Sequence, residues 1–117
     1  MNTIQVALSD AAKASSLRGL LARSTEMEVR CVERPDLGEA CVVVVDAAHL
    51  ERLPNPLLDP ERVVLITRND PAHLKAAWEA GVNSVVSDQD SLNTVVLAVL
   101  SACLRAGCVK PKPGKAT

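Results

Sequence analysis

Aromatic side chains are almost missing: the 117 residues include one Trp and neither Phe nor Tyr. Most of the stacking platforms on which single-stranded nucleic acid binders depend are therefore missing, and a core has to be built from Val, Leu, Ile and Ala. No apolar run approaches the roughly 18 residues of a membrane span. The start, MNTIQVALSD, lacks the basic residues and apolar stretch of a signal peptide, so a cytoplasmic location without membrane attachment is expected. Cys31, Cys41, Cys103 and Cys108 form no CxxC pair and no zinc-like spacing with His49 or His73. They are expected to be small buried hydrophobes in a reducing compartment rather than a disulfide scaffold. A Gly-rich phosphate loop and an HExxH motif are also absent, which removes the chemistries those motifs carry.

What is present suits one core. At 117 residues and 48% hydrophobic, the chain supports a single globular domain and not two. Residues 1–106 carry 10 basic and 14 acidic side chains, a formal charge of −4, while Lys110, Lys112 and Lys115 make the end basic. The body is not a nucleic-acid footprint. Residues 107–117, rich in Lys, Pro and Gly, read as a flexible basic tail or linker.

The apolar period changes along the chain. Ile4 to Leu8 is β-prone, and Ser9-Asp10 can cap a helix over residues 11–23, in which Ala14, Leu17, Leu20 and Leu21 recur at helical spacing. Glu26 to Val32 alternates, with Met27, Val29 and Cys31 on one face, and the segment from Arg34 to Ala40 has room for a turn or a short helix. Cys41 to Val45 and Val63 to Thr67 are continuously apolar, as expected of strands covered on both faces. Between them Pro54, Pro56 and Pro60 exclude a long helix. Asp70 to Ala80 predicts a helix started at Pro71 and stopped at Gly81, with Trp78 as a core anchor sharing a face with Leu74. Val82 to Val86 predicts a strand and Ser91 to Ala106 a final helix. Strands separated by helical segments imply an open parallel α/β sheet with helices on both faces.

Chemistry in such a sheet gathers beyond the carboxyl ends of the strands. Ser9-Asp10, Asp46 and Thr67 stand at three of those ends. Two carboxylates brought together there repel unless one is protonated or a hard cation such as Mg²⁺ bridges them. The alternative is structural: Asp10 as a helix cap and Asp46 as a turn residue. His49 is expected to face solvent, and the sequence places no partner for His73.

The stretches IQVALSD, VVVVDAAHL, VVLITRND and AAWEAGVNSVVSD resemble the receiver (CheY-like) domains of bacterial response regulators over residues 3 to about 106. The resemblance implies a three-layer α/β/α, flavodoxin-like fold with a five-stranded parallel sheet of order 2-1-3-4-5, here with shortened second and third helices. It makes Asp46 the phosphoacceptor, Thr67 the hydroxyl on a phosphoryl oxygen, and Asp10, Asp46 and the Ala48 carbonyl the ligands of Mg²⁺. It implies a histidine kinase or other signalling partner. The region from AGVNSVVSDQDS to CLRAG is most similar to receivers of helix-turn-helix transcription factors, in which DNA contact belongs to a domain C-terminal to the receiver.

Four positions depart from the family pattern. Ser9 replaces the first acidic residue, Asp88 the conserved lysine, Gln89 the proline after it and Val85 the aromatic switch residue. An atypical pseudo-receiver is the expectation: a regulatory and dimerisation module, working without phosphorylation and without enzymatic turnover beyond slow autodephosphorylation. A phosphoacceptor using Asp46 and Mg²⁺, and a stand-alone protein-interaction or small-ligand module, are the alternatives. VVLAVLSACL is apolar on nearly every face, so Val95, Val96, Val99, Leu100, Cys103 and Leu104 are the expected homodimer surface.

Overall fold

The computed structural model describes residues 3–53, 59–82 and 84–108. Pro54, Pro56 and the three tail lysines, Lys110, Lys112 and Lys115, lie outside the described residues. In chain order the elements are β1 (Thr3–Ala7), α1 (Ala11–Ser24), β2 (Glu28–Cys31), β3 (Val42–Asp46), α2 (Ala47–Leu50), a 3₁₀ turn (Pro60–Arg62), β4 (Val63–Thr67), α3 (Pro71–Glu79), β5 (Ser84–Ser87) and α4 (Leu92–Ala106). The five strands are parallel in the order β2-β1-β3-β4-β5.

Burial accounts for that arrangement. Val42 to Val45 are all inaccessible to solvent, because β3 is central and covered on both sides. Val42 and Val44 join Ile4, Val6, Val64, Ile66 and Val86 beneath α1 and α4, whereas Val43 and Val45 join Ala7, Val63 and Leu65 on the side of α3. Register decides which face each valine takes: Val6 pairs with Val44, and Val45 with Leu65. The layers are therefore α1 and α4, the sheet, and then α2 and α3.

Between β2 and β3 there is a turn at residues 37–39 and no helix. Polar side chains replace the helix's hydrogen bonds. Gln5 Oε1 accepts from Asp36 N–H at 2.8 Å, and Asp36 Oδ1 accepts from Gly38 N–H at 2.7 Å. The Arg62 guanidinium donates to the carbonyls of Cys41 at 2.7 Å, Leu37 at 2.6 Å and Ala40, which satisfies the turn's acceptors from the 3₁₀ side.

Three expectations need correction. Trp78 is no core anchor: it is 82% exposed. Leu74 and Trp78 do share a helical face, but Ala77 is the residue α3 buries against the sheet, so the large pair lies outward. Val95, Val96, Val99 and Cys103 are buried under α1 and the sheet and offer nothing to a second chain. Helix α4 packs against both the sheet and α1, and that consumes most of its apolar girth. Of the expected interface, Leu104 is exposed and Leu100 half-buried, and Leu97 adds a second exposed leucine. Finally, Cys41 and Cys108 are joined in a disulfide with Cα atoms 6.0 Å apart, leaving Cys31 exposed and Cys103 buried as free thiols. Gly107 takes a left-handed conformation (φ 77°) that ends α4 and turns Cys108 back toward the residue just before β3.

Candidate functional site

The loops after β1, β3, β4 and β5 enclose an open cavity of about 430 Å³, lined among others by Ser9, Asp10, Lys13, Asp46, Ala48, Thr67, Arg68, His73 and Asp88. Ser9, Asp10, Asp46, Ala48, Thr67 and Asp88 are thus brought together, as expected of strand ends in this topology. Gln89 and Val85 are not part of the lining. Gln89 Nε2 donates to Asp88 Oδ1 at 3.4 Å outside it. Val85, paired with Leu65, faces the α3 side of edge strand β5 and is partly exposed.

Asp46 ends β3 and N-caps α2, and both of its carboxylate oxygens accept hydrogen bonds. Ser9 N–H donates to Oδ2 at 2.7 Å; His49 N–H donates to Oδ1 at 3.0 Å, and His49 Nδ1 lies 2.7 Å from the same oxygen. An ionised carboxylate only accepts, so the Nδ1 proton is placed on His49 facing Asp46. Burial pushes the Asp46 carboxyl up, but the bonds from Ser9 and His49 outweigh it and hold the group at about 2. His49, expected in solvent, is only 9% exposed. It is drawn inward because its ring completes the cap.

The same geometry occurs a second time. Asp70 N-caps α3, accepting from His73 N–H at 2.9 Å and lying 2.8 Å from His73 Nδ1. Its carboxyl is lowered by those bonds, although Asp70 stands outside the cavity lining. The sequence signal is a repeat, DAAHL at 46–50 and DPAHL at 70–74: an Asp N-cap whose carboxylate accepts from both the backbone N–H and the ring of an N3 histidine, unlike a capping box, in which N3 Glu or Gln accepts from the cap's backbone N–H. Asp10 is likewise a cap, accepting from Lys13 N–H at 3.1 Å.

Sequence reasoning also missed the cavity's cations, Lys13 and Arg68. Lys13 follows cap Asp10 by three residues and so faces the same strand ends; its Nζ donates to the Asp88 carbonyl at 3.2 Å. For Mg²⁺ the donor set does not fit. Both Asp46 oxygens receive N–H donors, Asp10 Oδ1 receives another, and an ammonium shares the cavity wall. Among the described residues, no group of three or more His, Cys, Asp or Glu is arranged to hold a metal.

No family model matches the chain, and no curated protein matches it in sequence. Solved structures are similar in fold. A pilus assembly-related protein of Burkholderia pseudomallei superposes with a TM-score of 0.63 at 21% identity over 95% of this chain and 93% of that one. A response regulator receiver protein of Burkholderia phymatum gives 0.59 at 19% identity over 96% and 100%. A CpaE2 pilus assembly protein of Sinorhizobium meliloti gives 0.54 at 21% identity over 86% and 98%. The fold is that of receiver domains. No helix among the described residues is long and apolar enough to cross a membrane.

Proposed function

We propose that this chain is a receiver-fold regulatory and interaction module whose state is not set by phosphoryl transfer to Asp46. One observation carries the reading: both carboxylate oxygens of Asp46 are occupied by donors from Ser9 and His49. In-line attack on phosphorus requires a free, aligned lone pair and cations to neutralise charge on the equatorial oxygens. Here the nucleophile is a helix cap with its basicity lowered, and the family lysine position holds Asp88, whose own charge opposes a phosphoryl group.

The host protein is a signalling or transcription-regulating protein. The likeness to two pilus assembly proteins supports a second host class, an assembly protein that uses the fold for docking. Self-association, expected from the sequence, falls to the outer stripe of α4, where Leu97 and Leu104 stand seven residues apart and exposed. The test is incubation with a small phosphodonor and Mg²⁺, read by intact mass. The protein is expected to stay unmodified; one added phosphoryl group that D46N fails to acquire would overturn the reading.

A further inference from the structure

We infer that Cys41 and Cys108 form a reversible thiol–disulfide site, through which the redox state of the surroundings reaches the end of α4. The inference is independent of what Asp46 does, since the pair lies at the opposite end of the strands. Cys41 immediately precedes β3, and its N–H donates to Thr3 O at 2.8 Å, fixing it to the entry of β1. Cys108 is positioned by the helix cap. Gly107 N–H donates to Leu104 O at 3.2 Å and Cys108 N–H to Cys103 O at 3.0 Å, a left-handed closure that needs the glycine.

Both cysteines are thus held by backbone bonds that do not depend on the bridge. Reduction leaves two thiols facing each other at high effective concentration, and the bridge can form again without a search. Both residues pack partly buried against the core edge and keep access to solvent, so a small thiol can reach them.

Two observations separate such a site from a structural staple. The core is complete without it: β1, β3 and β4 are buried along nearly their whole length under α1, α4 and α3, whereas disulfide scaffolds serve domains that cannot build a core. The chain also keeps two unbridged cysteines, one of them, Cys31, exposed, so the bridge is a single pair and not part of a disulfide framework. Cys103 takes no part. It is sealed in the core, and burial pushes its thiol up to about 11.

The co-reactant is a low-molecular-weight disulfide. The thiolate of one cysteine attacks it, forming a mixed disulfide and releasing one small thiol. The second cysteine, losing its proton, attacks the protein sulfur of that mixed disulfide and releases the second small thiol. In total two protein thiols are oxidised and one small disulfide is reduced to two thiols. The reverse sequence opens the bridge.

The test equilibrates the full chain over graded ratios of reduced to oxidised glutathione, quenches exchange with acid, blocks every free thiol with a maleimide in denaturant and reads intact mass, and reads melting temperature on the equilibrated protein before quenching. The expected result is one transition, from four blocked thiols to two, with peptide mapping placing the bridge at Cys41 and Cys108. Closing a loop of 67 residues is expected to raise the melting temperature by about 10 °C in the oxidised form. C41S and C108S should each abolish both responses, and wild-type protein in excess dithiol reports the reduced state without any substitution. A bridge that never forms, one that persists in folded protein under full reduction, one that involves Cys31 or Cys103, or a thermal response retained in either variant would overturn the inference.

Discussion

Replacing Asp46 by Asn separates a helix cap from a reactive group. A carboxylate kept free for chemistry contributes little to folding, whereas this one accepts three hydrogen bonds. The Asn side chain keeps one acceptor oxygen and turns an NH₂ toward a donor, so at least one of Ser9 N–H and His49 N–H loses its partner. A carboxyl held at about 2 instead of 3.8 corresponds to about 2 kcal/mol of folding stability. Solvent reaches 24% of the side chain, and screening lowers the expectation to about 1–2 kcal/mol. The folded-state value lies below the unfolded one, so this stability is complete above about pH 4 and disappears as the pH falls through 2. D46N should therefore unfold at lower urea than wild type at pH 7, with a melting temperature lower by about 4–8 °C, and the two should converge near pH 2. Far-UV circular dichroism is the suitable signal, because the single tryptophan is 82% exposed and senses the core poorly. Equal stability at pH 7, or a deficit that persists at pH 2, would refute the structural role of the carboxylate.

Two further perturbations test the parts of the fold that replace family features. R62A removes the donors to the Leu37, Ala40 and Cys41 carbonyls and should lower stability by about 3 kcal/mol in urea denaturation; R62K, a point charge without the planar fork, should recover less than half of that. L97E with L104E should leave the fold intact by circular dichroism, since both side chains face outward, and in light scattering the wild type is expected to be a dimer and the double variant a monomer. A monomeric wild type would remove the dimer from the proposed function.

The parallel sheet was legible because strands buried on two faces favour short uninterrupted β-branched runs, the pattern of Cys41 to Val45 and Val63 to Thr67. Strand order came from the resemblance, and the structure has that order. Helix faces were less legible. Spacing correctly grouped Leu74 with Trp78 but cannot say which face turns inward; a surface of small residues decided it, with Ala77 against the sheet. For α4 the error was opposite. Its apolar girth suggested a partner, yet contacts with α1 and three strands absorb Val95, Val96, Val99 and Cys103. The disulfide joins positions 67 apart, and four cysteines without motif spacing say nothing about which two meet. The role of Asp46 was within reach of the residues alone. DAAHL and DPAHL share an aspartate and a histidine three positions on, and in DPAHL the proline at the first helical position marks that aspartate as the N-cap.

The bonds around the cavity explain why a pocket with the receiver's outline need not switch. Ser9 N–H on Asp46 ties the loop after β1 to β3, Lys13 Nζ on the Asp88 carbonyl ties α1 to the loop after β5, and Asp88 N–H on the Thr67 carbonyl at 2.9 Å ties that loop to β4. The three links join all four loops without any ligand. A ligand moves an equilibrium only by its different affinity for two states, and a shift from 1:99 to 99:1 requires about 5.5 kcal/mol of such difference. A phosphoryl group on Asp46 would first have to displace the donors that hold the closed arrangement, so its binding would work against those bonds and in the presence of Asp10 and Asp88. On the proposed reading an input acts elsewhere, and the inferred thiol–disulfide site at the end of α4 is a candidate, since opening the Cys41–Cys108 bridge would change covalent connectivity while the backbone bonds that hold both residues remain.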